Sequence, residues 1–225
     1  LSVYENLQTI EQEILEVCAK SNRKRTDITI IGVTKYVTVE RAQETINSGI
    51  IHLGESRDNG MVDKHSVIGD KAIWHYIGTL QSKKVKNVIN IASYIHSLDR
   101  ISLAKEINKR AETVIKCFVQ VNTSQEESKH GLNPEEVISF IEEVRKFSKI
   151  EIVGLMTMAP YTEDESVIRQ CFRDLKLLQQ DVQSLKLQHA PCKELSMGMS
   201  NDFQIAIEEG ATYIRIGSRL VGNES

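Results

Sequence analysis

Eight short apolar, β-branched runs punctuate this chain, at 28–33, 50–53, 73–77, 94–98, 114–121, 152–156, 194–197 and 213–216. They are continuous rather than alternating, the pattern of strands buried on both faces and paired in parallel. Polar stretches of helical periodicity separate them, at 39–47, 57–67, 80–91, 101–111, 134–147, 164–187 and 202–209. In the fifth of these, Asn133 is placed as a cap, with Pro134, Glu135 and Glu136 as a first helical turn. Eight strand–helix units predict an α/β fold, a closed (β/α)₈ TIM barrel, with 1–22 as an extra N-terminal helix. An open doubly wound sheet is the competing arrangement. There is no Pro/Gly-rich linker and no low-complexity tract, so residues 1–225 read as a single domain.

Composition narrows the function classes without naming one. At 225 residues and 40% hydrophobic content the chain is long enough for a buried core. A formal charge of -3 gives no push toward nucleic acid or an anionic membrane. No apolar run approaches the ~20 residues that span a bilayer. The first twenty residues alternate apolar and charged positions like an amphipathic helix rather than a signal peptide. Cys18, Cys117, Cys171 and Cys192 are scattered with no C-x-x-C spacing. That pattern argues against a disulfide framework or a zinc site and fits a reducing cytoplasm.

In a barrel the chemistry sits at the carboxyl ends of the strands. Lys35 follows the first run, with uncharged Val33, Thr34, Tyr36 and Val37 around it. A desolvated lysine amine acts as a base or attacks an aldehyde to form a Schiff base, and a solvated strand end is the plain alternative. Two glycine turns follow the seventh and eighth runs, Gly198 to Asp202 and Gly217-Ser218. Gly217 permits close backbone approach, the amides of Gly217 and Ser218 are placed to cup a phosphate, and Ser200 can add a hydroxyl. Barrels often bind phosphate on these two loops, though capping alone also explains either turn. A phosphate site beside a lysine suits a phosphorylated aldehyde.

Four segments carry a resemblance: Val33-Thr34-Lys35, the run from Trp74 to Ser82, Gly154 to Met158, and Leu195 to Phe203. Ala206 to Ala211 and Arg215-Ile216-Gly217 continue it. Together they resemble the pyridoxal phosphate homeostasis protein family, which shares the barrel of bacterial alanine racemase (PLP fold type III). The resemblance covers nearly the whole chain. It implies pyridoxal 5'-phosphate (PLP) as the cofactor, bound as a Schiff base on Lys35. It also implies that Ser200, Gly217 and Ser218 hold the phosphate and that Arg215 faces the pyridine nitrogen. An arginine does not give up its proton there, so the ring nitrogen stays unprotonated and the electron sink is blunted. One departure is Ser56, where the family usually has asparagine. Lys83 replaces another family asparagine and is assigned no role.

Other residues take plainer readings. His75 alternates with Trp74 and Tyr76, which favours a barrel-interior histidine over a catalytic acid/base. Lys129, in the loop after the fifth run, is a second candidate for transient PLP attachment, with a solvated loop as the alternative. Met156, Met158, Met197 and Met199 are expected to pack beneath the cofactor ring rather than to bind metal.

The resemblance leaves two classes in play. Racemases of this fold need a base on each face of the substrate α-carbon, and the second is a tyrosine on an added β-domain. The chain given runs eight residues past Gly217. The expectation is therefore a PLP carrier in intracellular vitamin B6 homeostasis with little turnover, serving PLP-dependent apo-enzymes. A minimal amino-acid racemase is the alternative, and a Schiff-base aldolase a more distant one. A cytoplasmic monomer is expected, because there are no coiled-coil heptads and no racemase-type dimer domain.

Overall fold

In the computed structural model, which describes residues 1–124, 126–127 and 130–223, eight parallel strands close into one barrel in chain order. They are β1 (Thr29–Val33), β2 (His52–Glu55), β3 (Ile73–Tyr76), β4 (Tyr94–Leu98), β5 (Ile115–Gln120), β6 (Ile150–Met156), β7 (Glu194–Ser196) and β8 (Tyr213–Ile216). Closure is set by β1, which pairs Val33 with Gly54 of β2 and Gly32 with Ile216 of β8. That pairing excludes the open sheet.

The helices are α1 (Val3–Lys20), α2 (Val39–Asn47), α3 (Asp58–Ile68), α4 (Val85–Val88), α5 (Ile101–Arg110), α6 (Val137–Val144), α7 (Glu165–Ser184), α8 (Phe203–Glu208) and α9 (Ser218–Val221). The expected leading helix is α1. Ser2 and Glu5 form a capping box at its start, and Val3, Leu7, Ile10, Ile14 and Cys18 make its buried stripe. The Pro134 turn forms as a 3₁₀ turn, capped by Asn133, that runs into α6.

Several boundaries differ from the sequence pattern, as at β6, which starts at Ile150 rather than 152, and two of the differences have a visible physical cause. The second strand is His52–Glu55 rather than 50–53. Ile50 is buried as an anchor ahead of the strand, while the carboxylate of Glu55 enters the strand because Lys64 of α3 pairs with it at 2.5 Å. The segment 80–91 is shorter in helix than its periodicity predicts. Only Val85–Val88 closes an α-turn, burying Val85, Val88 and Ile89, and a 3₁₀ turn precedes it.

The apolar core lies mainly between barrel and helices. Inside the barrel Phe118, Val153 and Met156 cluster with Tyr94 and Tyr213. Three histidines, His52, His75 and His96, share that aromatic interior: His75 stacks on Tyr94 at 4.4 Å between centroids and His96 on Phe118 at 4.2 Å. No described helix is long and apolar enough to cross a membrane.

Candidate cofactor site

A cavity of about 580 Å³ opens at the carboxyl ends of the strands. Its wall brings Lys35, from the first strand–helix turn, together with Ser200, Arg215, Gly217 and Ser218 from the end of the barrel. Lys35 sits in the β1–α2 turn, closed by the Val37 amide donating to the Thr34 carbonyl at 3.2 Å. Buried Val37 pins that turn, and the Thr38 side chain caps α2 by accepting from the Arg41 amide. Lys35 is exposed, and its amine lies 4.8 Å from the centre of the Tyr36 ring. Desolvation, expected from its uncharged sequence neighbours, is therefore not what marks this lysine.

A charged group does lie near Lys35, brought there by folding. Glu55 ends β2 with 1% exposure and accepts from Thr34 Oγ1 at 3.1 Å. Lys64 Nζ bridges Glu55 and the Thr34 carbonyl, the latter at 2.8 Å. Burial pushes the Glu55 carboxyl up, against the pull of Lys64, of Thr34 and, most weakly, of Lys35. The pair braces the backbone that carries Lys35.

Across the cavity, Gly198 holds a φ of +99°, and a Cβ there would come within 2.6 Å of the Ala206 Cβ. The turn is closed by Asp202 Oδ1, which accepts from the Met199 amide at 2.7 Å. Ser200 lies within it. After β8, α9 is a single turn whose Leu220 and Val221 amides donate to the Gly217 carbonyl. Gly217 and Ser218, at the start of that turn, line the cavity, and the first amides of a helical turn have no partner within it.

Arg215 is 3% exposed. Its Nη1 donates to Ser196 Oγ at 2.5 Å and its Nη2 to the Thr157 carbonyl at 3.1 Å. Burial lowers it to about 10, with Asp202 pulling the other way, so it keeps its proton at neutral pH. His75 is fully buried with both ring nitrogens in hydrogen bonds, to His52 at 2.8 Å and His96 at 2.9 Å, as the interior reading expects.

A profile of the alanine racemase N-terminal domain family matches residues 7–225. The chain is 36% identical to the pyridoxal phosphate homeostasis protein of Aquifex aeolicus, over 99% of this chain and 98% of that one. It belongs to the pyridoxal phosphate homeostasis protein family. The Vibrio cholerae member is 30% identical over 98% of this chain and 96% of its own length. Among solved structures, PipY of Synechococcus elongatus with PLP bound superposes with a TM-score of 0.85 at 26% identity, covering 98% of this chain and all of PipY. Alanine racemase of Clostridium difficile shares the fold, with a TM-score of 0.78 at 16% identity. This chain covers 56% of that racemase.

Within this member of the family, Ser56 stays on the cavity wall despite being shorter than asparagine. Lys83 is exposed, as a residue with no role would be. Met158 and Met199 line the cavity, whereas Met156 and Met197 are buried behind it. Lys129 lies outside the described residues. Sequence reasoning missed Gln120 and His130 as lining residues and gave Ser196 no role. Gln120 ends β5, within the apolar run 114–121, and that strand-end position is the signal that could have found it.

Proposed function

We propose that this chain holds pyridoxal 5'-phosphate through a covalent link to Lys35 and serves intracellular vitamin B6 homeostasis, with little turnover of its own. One observation carries the reading: an amine, a buried guanidinium and two phosphate-type turns converge on one cavity. The donor set fits the cofactor, since no described lining residue is acidic and the ligand is an anion. A relative of matching length, PipY, has been solved with PLP bound.

Ser200 and the amides of Gly217 and Ser218 would hold the phosphate, and Lys35 would meet the aldehyde. Arg215 would offer an N–H to the ring nitrogen. PLP supplies an electron sink for amino-acid chemistry, strongest when that nitrogen is protonated. Arg215 is protonated and donor-only, so it has no proton to spare for the ring and disfavours that use. Exposed Tyr36 and His130 are the other titratable groups on the wall and would be the ones recruited in a weak racemase. Such a carrier, a cytoplasmic monomer in this proposal, would pass PLP to apo-enzymes.

The test is reduction with borohydride followed by peptide mass mapping. The PLP adduct is expected on Lys35, and Lys35→Ala is expected to lose both adduct and visible absorbance band. A full adduct in Lys35→Ala would overturn the assignment. Racemisation of any amino acid at ~1–10³ per second would overturn the carrier reading.

A further inference from the structure

The barrel interior contains one continuous line of hydrogen-bonded side chains. It starts at Arg215 Nη1, passes Ser196 Oγ, and reaches His96 Nδ1 at 2.8 Å. His96 Nε2 then meets His75 Nδ1 at 2.9 Å, and His75 Nε2 meets His52 Nδ1 at 2.8 Å. His52 is half-buried and lines a separate cleft at the opposite, amino end of the barrel, beside Glu11 and Arg25. The line therefore crosses the barrel from the cofactor side to its floor.

Its direction follows from the chemistry of one end. A guanidinium only donates, so Ser196 Oγ must accept from Arg215. Ser196 is fully buried, and its other partner among the described residues is His96. Its hydroxyl hydrogen has an acceptor only if His96 Nδ1 is bare. His96 then carries its hydrogen on Nε2 and gives it to His75 Nδ1, and His75 does the same toward His52. In the reverse arrangement a buried hydroxyl hydrogen is left with no acceptor, which native interiors avoid.

We propose that Ser196, His96, His75 and His52 are positioning residues for Arg215, forming a one-way hydrogen-bonded chain that fixes the guanidinium from the barrel floor. The purpose given to Arg215 rests on the cofactor reading above, whereas the direction of the chain does not. Both inner imidazoles are neutral, held well below the usual histidine range by burial, with His52 adding to the effect at His75, and His75 and Arg215 at His96. Tyr94 and Tyr213 pack against these rings, and Lys116 lies over the Tyr94 ring. The chain is not a proton conduit to the cofactor, because its inner end is a group that accepts no proton. It acts as an orienting rod.

The ligand-free protein decides the direction. With ¹⁵N-labelled histidine, His75 and His96 are expected to be neutral with the hydrogen on Nε2, showing couplings across both N–H···N bonds at neutral pH. A hydrogen on Nδ1, or a doubly protonated ring, overturns the proposal. The loaded protein decides the purpose. With cofactor ¹⁵N-labelled in its ring, Ser196→Ala is expected to shift the ring-nitrogen resonance and weaken retention about tenfold, while Ser196→Thr restores both. An unmoved resonance in Ser196→Ala overturns the positioning role. If the wild type takes up no PLP, the cofactor reading falls and the ligand-free spectrum still decides the chain.

Discussion

In the proposed site Ser200 and Lys35 would divide the work of retention, in ways that can be measured separately. Ser200 sits in the tight turn after β7 on the cavity wall. A hydrogen bond to a charged group contributes roughly 1.5–3 kcal/mol, or about ten- to a hundredfold in affinity. Ser200→Ala is therefore expected to weaken PLP by that factor and to leave pyridoxal, which lacks the phosphate, nearly unchanged. Titration of the ligand-free protein with both compounds checks it, and equal losses would place Ser200 away from the phosphate. Beneath Lys35 the Glu55–Lys64 pair is buried on both sides. Lys64→Met leaves a carboxylate without its partner and is expected to cost about 3–5 kcal/mol in urea unfolding. Adding Glu55→Gln is expected to recover part of that loss. Lys35, Ser200, Gly217 and Ser218 were legible as cavity-lining residues because each follows a strand-like run, whereas Arg215 lies within one and was named only through the resemblance. Glu55 was not legible as a neighbour of Lys35, since twenty positions separate them and only the pairing of Val33 with Gly54 aligns the two strand ends.

Elements show where periodicity suffices. The runs for β4 and β8 were read to their observed ends, because apolar positions alone decide both. The histidine line escaped the sequence because it depends on register across several strands: Gly54 opposite His75, His75 opposite Tyr94, and Ser196 opposite Tyr213. No local pattern encodes such alignments. The α9 turn poses a related problem. A helix of four residues is not stable alone. It is held by α1, where Glu13 pairs with Arg219 and Asn6 Nδ2 donates to the Leu220 carbonyl at 2.9 Å, and by Arg41 Nε on the Val221 carbonyl at 2.9 Å. The Arg219 pair holds the Glu13 carboxyl below its ordinary value. Glu13→Ala is expected to speed hydrogen exchange at the Leu220 and Val221 amides and to weaken PLP a few-fold, in line with the ~0.2–1 kcal/mol of a partly exposed pair. Unchanged exchange would show that the other two contacts suffice.

For the whole molecule, the neutral histidines tie stability to pH. His75 and His96 lie well below their ordinary value of 6.5 in the folded barrel, whereas the unfolded chain titrates them near about 6.5. The unfolded state thus binds more protons, so their contribution is complete above about pH 6.5 and declines as pH falls below it. Each adds a slope of about 1.4 kcal/mol per pH unit. Glu55, raised by burial, works in the opposite sense in the window above 4.5. Urea unfolding at pH 7.5, 6 and 5 is expected to show stability falling on the acid side, and a flat profile would mean that the buried rings take up protons at the same pH as in the unfolded chain.

The pairing of β1 with β8 has a consequence for synthesis on the ribosome. Lys35 leaves the exit tunnel about 180 residues before β8, the strand that pairs with its own, and before the loops that would cup the phosphate. A growing chain would have the proposed hook long before the proposed cradle. Capture of PLP at the proposed site would then report that translation has passed β8, and a product cut short before β8 would carry an open seam.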